Sequence, residues 1–316
     1  MSTAFVLSGG ASLGAIEVGM LQALIASGIR PDLIVGTSVG AINGAWLAGA
    51  HTESDLEILA DIWRQLNRND VFSISPITGL LGLAGLGKHL VPDRGLRRLL
   101  RKHLRFETLE DAPTPLYVVA TDVLTGIDVR LSQGNAIDAV MASAAIPGIF
   151  PPVLIDGQML MDGGVVDNTP ISHAVALGAT TVWVLPSGGT CGIEEAPGNA
   201  LGLALHAIVL AISQRIAFDI NRYETRVSLK VVPPLCPLNI SPADFSHGAE
   251  LIARARTQTE EWLETTPPAV GQARLLNMHS HRADRPGRRR DQIRSVTDTT
   301  LVHPGALGCH PPLETG

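Results

Sequence analysis

Three short stretches carry residue types that can do chemistry on a carbonyl. The first is Gly36-Thr37-Ser38-Val39-Gly40, set between an apolar run at 33–35 and a helix pattern of small residues. A serine on a sharp strand-to-helix turn holds its hydroxyl clear of the backbone, where an ester carbonyl can reach it. Gly36 and Gly40 keep the bend free of side chains. The second is Gly9-Gly10-Ala11-Ser12-Leu13-Gly14, a loop of mostly small residues that opens a helix. It lacks the Gly-Lys-Ser/Thr of a nucleotide-binding loop and does not match the G-x-G-x-x-G dinucleotide pattern. A turn of this kind aims free N–H groups and the positive end of a helix at one point, which suits an oxyanion. The third is Asp162-Gly163-Gly164, just past an expected strand at 158–161.

Serine is nearly inert at neutral pH until a base takes its proton. Of the ten histidines, His279, His281, His303 and His310 lie beyond the patterned part of the chain. His51 ends the helix that follows Ser38, and His173 falls inside another expected helix. None takes the late loop position of a Ser-Asp-His hydrolase, and the serine turn comes early for that fold. A carboxylate in direct contact with Ser38 explains the layout better. Asp156 is accounted for by a two-residue Asp156-Gly157 hairpin turn, and Asp167 by the start of the next helix. Asp162 has no such structural explanation and is the candidate base. Two other readings stand beside this one. One is a Ser–His–Asp esterase using His173 or His247. The other is a catalytically weak lipid-binding protein.

The elements that must position these residues follow from periodicity. A buried strand at 4–7, a helix at 15–27, a strand ending at Gly36 and a second helix give βαβα and a parallel sheet with right-handed crossovers. A helix is expected over 53–67, with Thr52 and Asp55 forming its capping box. Residues 77–87 are apolar and glycine-rich without clear period. Either a lid or lipid-facing flap, bounded at 77–91, or a buried irregular segment fits them. A basic amphipathic helix follows, with Arg94, Arg97, Arg98, Arg101, Lys102 and Arg105 beside Leu96, Leu99, Leu100 and Leu104. Such a helix suits anionic headgroups or simply a solvated face. Strands are expected at 116–120, 127–131, 153–155, 158–161, 180–185 and 226–232, and helices at 135–145, 201–223 and 245–265. The pattern fails beyond about residue 268, so one domain over 1–267 and a disordered tail over 268–316 are expected.

Bulk properties bound the partners. The chain has 316 residues, 45% hydrophobic, with a formal net charge of −6. That balance gives no reason to expect nucleic acid. Three scattered cysteines form neither a disulfide framework nor a C-x-x-C metal pair, which fits a reducing compartment. The first apolar run has no basic flank, so no secretory signal is expected, and a cytoplasmic location is.

Taken together, the three stretches resemble the patatin-like phospholipases. The connecting runs Ser143-Ala144-Ala145-Ile146-Pro147-Gly148-Ile149-Phe150-Pro151-Pro152 and Val165-Val166-Asp167-Asn168-Thr169-Pro170 match as well. The resemblance covers about residues 4–252. It implies a three-layer α/β/α fold with a mostly parallel central sheet. It also implies a Ser38–Asp162 dyad that hydrolyses acyl esters of lipids, with peripheral membrane contact and with no metal or cofactor. Gly9 to Gly14 supply the oxyanion donors, and Gly36, Gly40, Gly163 and Gly164 give structural support. The chain departs from the family pattern twice: Ala11 stands where a third glycine is common, and Leu13 where Arg or Lys is common.

Overall fold

A computed structural model describes residues 2–49, 52–72, 91–188, 198, 200–265 and 271–276. The account that follows concerns the compact unit Met1–His281. The expected lid over 77–91 falls outside the described residues, Val91 excepted.

The first strand, β1 (Thr3–Leu7), lies in the interior of one eight-stranded sheet. The others are β2 (Leu33–Thr37), β3 (Leu116–Asp122), β4 (Asp128–Leu131), β5 (Val153–Ile155), β6 (Gln158–Asp162), β7 (Thr181–Leu185) and β8 (Ser228–Val231). Their order is β5-β6-β3-β2-β1-β7-β8, with β4 also paired to β3. From β3 through β8 the neighbours run parallel, and β4, β5 and β6 add an antiparallel margin. β1 and β2 are almost wholly buried, which is why they read as unbroken apolar runs rather than alternating ones.

Alternate residues of each strand face opposite cores. Phe5, Leu7 and Ile34 pack on one side, and Ala4, Val6, Leu33 and Val35 on the other. The first core is covered by α1 (Gly14–Ala26), α2 (Val39–Ala48), α3 (Glu53–Gln65), the single turn α4 (Arg68–Val71), α5 (Arg94–His103), α6 (Ala136–Ser143) and α9 (Gly248–Leu263). The second is covered by α7 (Ile171–Ala176) and α8 (Ala200–Tyr223). The result is three layers, α/β/α, as expected. Each large apolar side chain in these cores contributes roughly 1.5–3 kcal/mol by leaving water. α1 is buried all round because α3 and α9 cover the flank turned away from the sheet.

Two of the local signals hold and one does not. Thr52 and Asp55 form the capping box of α3. Asp156 and Gly157 both take positive φ, 50° and 80°, as a tight hairpin between β5 and β6 requires. Asp167 does not cap α7, whose N-cap is Pro170. Its carboxylate instead accepts from the Ser172 hydroxyl. Residues Gln272–Leu276 form a short 3-10 turn, beyond the boundary expected at 267. The buried Gln272 side chain accepts from Val231 N–H at 2.8 Å and donates to the Leu229 carbonyl at 2.7 Å. The rest of the expected tail, 277–316, lies outside the described residues. Among the described residues no helix is long and apolar enough to cross a membrane.

Candidate active site

The sheet register brings residues 38 and 162 together. β2 pairs with β3 up to Thr37↔Val119, and β6 pairs with β3 from Asp162↔Ala120. β4 pairs with Val118 to Thr121, and so fills the opposite edge of β3. β2 and β6 therefore share one edge of β3 and meet end to end. Ser38 follows the last paired residue of β2, and Asp162 is the last residue of β6. The Ser38 Oγ donates to Asp162 Oδ2 at 2.7 Å.

Ser38 has φ 54° and ψ −122°, a backbone state that L-residues seldom adopt. Such a state costs on the order of 1–3 kcal/mol and persists only when neighbours enforce it. Here the Ser38 N–H donates to Ser143 Oγ at 2.8 Å, and Ser143 Oγ donates to the Val119 carbonyl at 2.5 Å. The Ser38 carbonyl accepts from Ala41 and Ile42 N–H as α2 begins. A side chain at Gly40 would strike the Leu7 carbonyl, and one at Gly163 the Val119 carbonyl. Both positions need the close backbone approach that only glycine allows.

Asp162 is 6% exposed, and its environment is set by few contacts. Oδ1 accepts from Gly164 N–H at 2.7 Å, and its backbone carbonyl accepts from Thr121 Oγ1 at 3.0 Å. Burial pushes its carboxyl up to about 6, against the opposing pull of hydrogen bonds from Ser38 and Gly164. A base with that value is ionised at neutral pH and still basic enough to draw on a hydroxyl proton.

The loop at 9–14 is held by partners distant in sequence. Gly9 N–H donates to the Asn168 carbonyl, and the Gly9 carbonyl accepts from Asn168 Nδ2 and Ser187 Oγ. Ser12 N–H donates to the Pro242 carbonyl, and Leu13 N–H to the Gly10 carbonyl. Gly14 N–H turns back onto the carbonyls of Ala11 and Ser12. Among the described residues the N–H groups of Gly10 and Ala11 donate to no protein acceptor. Ala11 has φ 50°, which explains a preference for glycine at this position. Leu13 is buried in the core beside the sheet, so it presents nothing to a reacting group.

Beneath the loop, Asn43 Nδ2 donates to Glu17 Oε2 at 2.8 Å and to the Gly14 carbonyl at 3.0 Å. Asn43 Oδ1 accepts from Trp63 Nε1 at 3.0 Å. Burial holds the Glu17 carboxyl well above the usual range. This knot ties α1, α2 and α3 together under the site. Sequence reasoning placed Ser143 and Asn168 in connecting runs without giving them a role, and missed Ser187 and the Glu17–Asn43 pair, because none has a local pattern that marks its contacts.

A narrow cleft opens from Ser38 and Ala11, lined by Ile42, Trp46, Trp63, Leu100, Phe150 and Phe245, with a cavity volume of about 90 Å³. Its walls are almost entirely apolar. His103 lies along it with its ring centroid 5.9 Å from that of Trp46. The other histidines weighed for a base are engaged elsewhere: His173 Nε2 lies 2.6 Å from Asp128 Oδ2, and His247 Nδ1 lies 3.0 Å from Glu250 Oε2. Among the described residues no imidazole hydrogen-bonds to Ser38.

Comparison with known proteins bears on the family of the chain. A sequence profile of the patatin-like phospholipase family matches residues 5–175. Patatin-like phospholipase domain-containing protein 7 of Rattus norvegicus is 32% identical over 188 residues, 58% of this chain and 13% of that protein. The chain thus spans only about an eighth of the length of such relatives. An uncharacterized NTE family protein of Mycobacterium tuberculosis is 29% identical over 221 residues, 69% of this chain and 58% of that one. The crystal structure of VipD from Legionella pneumophila aligns at a TM-score of 0.45 and 17% identity, covering 83% of this chain and 67% of that one. The profile match, over more than half the sequence, decides the assignment: the chain belongs to the patatin-like phospholipase family.

Proposed function

We propose that the protein hydrolyses carboxylic esters of phospholipids or related glycerolipids through Ser38 and Asp162. The observation that carries this reading is the 2.7 Å hydrogen bond from Ser38 Oγ to a buried carboxylate, at the mouth of an apolar cleft. Family membership supports the same chemistry.

Asp162 accepts the hydroxyl proton as Ser38 Oγ attacks the ester carbonyl. The carbonyl oxygen becomes an oxyanion, held by the N–H groups of Gly10 and Ala11. A donor of this kind contributes on the order of 3 kcal/mol to such transition states. The tetrahedral intermediate collapses, and Asp162 returns the proton to the departing alcohol. Water then adds to the acyl-serine, with Asp162 again as base, and the fatty acid leaves. The acyl chain lies in the cleft during both steps, where each buried methylene contributes about 0.8 kcal/mol. The substrate is drawn from a lipid surface, which makes the membrane contact peripheral.

The test is product analysis after incubation with phospholipids, lysophospholipids and neutral glycerides. Wild type should release fatty acid from at least one class, and Ser38→Ala and Asp162→Asn from none. Release by both purified, folded variants would remove the dyad.

A further inference from the structure

The basic run of α5 divides into two groups. Arg97 pairs with Asp93 at 2.5 Å and Asp138 at 2.6 Å. Arg105, just past the helix, pairs with Asp55 at 2.6 Å and lies over the Trp46 ring. These two cations are structural. Arg94, Arg98, Arg101 and Lys102 are exposed and make no ion pair among the described residues. Arg94, Arg98 and Lys102 fall four residues apart, on one stripe of the helix.

That stripe borders a surface groove between α3 and α5. Its apolar parts include Ile58, Ile62, Leu66 and Leu99, and Ile58 is 47% exposed. Two acids also border it, and both are engaged. Asp61 pairs with Arg64 at 2.7 Å, and Asp70 accepts from Asn67 N–H at 2.9 Å. The cations of the groove thus outnumber its acids. Ile62, Leu66, Leu99 and His103 line both this groove and the cleft that starts at Ser38. One wall therefore has the reactive serine's cleft on one side and an unneutralised cationic surface on the other. Residues 73–90 contain no Asp or Glu, so that stretch of the chain brings no counter-charge of its own.

We propose that the α3–α5 groove is the membrane-docking face of the protein and that its occupant is an anionic phospholipid headgroup. Arg94, Arg98 and Lys102 hold the phosphate, and Ile58 and Leu99 enter the acyl layer beside it. A lipid held there has its chains next to the wall that the groove shares with the Ser38 cleft. This proposal rests on the lipid hydrolase reading for its purpose, but the docking is measurable without turnover.

The test is flotation of the full chain, in the Ser38→Ala background, with phosphatidylcholine vesicles with and without phosphatidylglycerol. Binding should require phosphatidylglycerol and should weaken as salt shortens the Debye length below about 10 Å. A cation near an anionic leaflet contributes about 1 kcal/mol, so R94E/R98E/K102E should bind on the order of 100-fold less. The milder R98Q/K102Q should fall between the two, and circular dichroism with thermal melting checks that each variant is folded. Equal flotation of the triple variant, including binding through the arginines at 282–290, would overturn the proposal. So would binding that is indifferent to phosphatidylglycerol. Charge-dependent flotation of a protein whose wild type releases no fatty acid would leave the docking face standing and remove the hydrolase reading instead.

Discussion

The hydroxyl of Ser143 accepts the backbone N–H of Ser38 at 2.8 Å and donates to the Val119 carbonyl. It is the clamp between the helix α6, the strand β3 and the strained serine turn. Ser143→Ala leaves the Ser38 N–H buried without an acceptor, which costs about 1–3 kcal/mol. The expected outcome is a lower melting temperature and a fall in kcat of about tenfold or more, with KM for a soluble ester little changed. A kcat equal to that of wild type would show that the turn holds its shape without the clamp.

The pH dependence follows from Asp162. Its carboxyl is raised to about 6 by burial, and the proposed chemistry needs it ionised. Activity on a soluble ester should therefore be full above about pH 7 and fall about tenfold per pH unit well below 6. A flat profile through this range, with the fold intact, would count against a carboxylate base of this kind.

The same shift acts on stability in the opposite direction. A carboxyl whose folded value lies above its unfolded value contributes stability that is fully present below the unfolded pKa, near 4. That contribution is lost as pH rises through about 6. At pH 8 the buried carboxylate is a cost of roughly 2–3 kcal/mol, so Asp162→Asn should melt higher than wild type there while losing activity. At pH 4 the difference should shrink. A variant that melts lower at both pH values would mean that the carboxylate's contacts outweigh its burial.

Ala11 carries positive φ in the loop proposed to offer its N–H to the oxyanion. Ala11→Gly removes the strain of a Cβ in that region, worth about 1–2 kcal/mol, but gives freedom back to the unfolded chain. The net expectation is a stability gain of up to about 1 kcal/mol with activity retained. A marked loss of activity would show that the alanine methyl itself holds the loop.

With the acyl chain in the cleft, as proposed, the shape of the cleft sets the acyl specificity. Ile42 lies one helical turn beyond Ser38 and lines the cleft. Ile42→Phe narrows the path, so kcat/KM for long-chain esters should fall by at least about tenfold while acetyl esters change little. Comparing p-nitrophenyl esters of increasing chain length reads this directly. A uniform loss at every chain length would point to disturbance of the serine turn instead.

Much of this arrangement was legible in the residues because it is local. The Gly36-x-Ser38-x-Gly40 turn, the Asp156-Gly157 hairpin and the Thr52 capping box each follow from short-range geometry. The βαβα order of the first 50 residues announced a parallel sheet. The pairing of Ser38 with Asp162 was reached by elimination and by resemblance, and not from spacing. It depends on where Thr37 and Asp162 fall along one edge of β3, which is a matter of register. For the same reason Ser187 escaped notice, and Ser143 and Asn168 were seen only as parts of connecting runs. Each contacts a residue more than 100 positions away, and a lone serine or asparagine carries no period. The basic run at 94–105 looked uniform, and only the structure separates its paired arginines from those with no ion pair among the described residues.

The central claim is that Ser38 is a nucleophile activated by Asp162. Intact-mass and peptide mass spectrometry after exposure to a fluorophosphonate tests it most directly. The account predicts a single adduct on Ser38 in wild type, none in Ser38→Ala, and labelling slowed by at least about a hundredfold in Asp162→Asn. An unlabelled wild type, an adduct on another residue, or an Asp162→Asn protein that labels at the wild-type rate would contradict it.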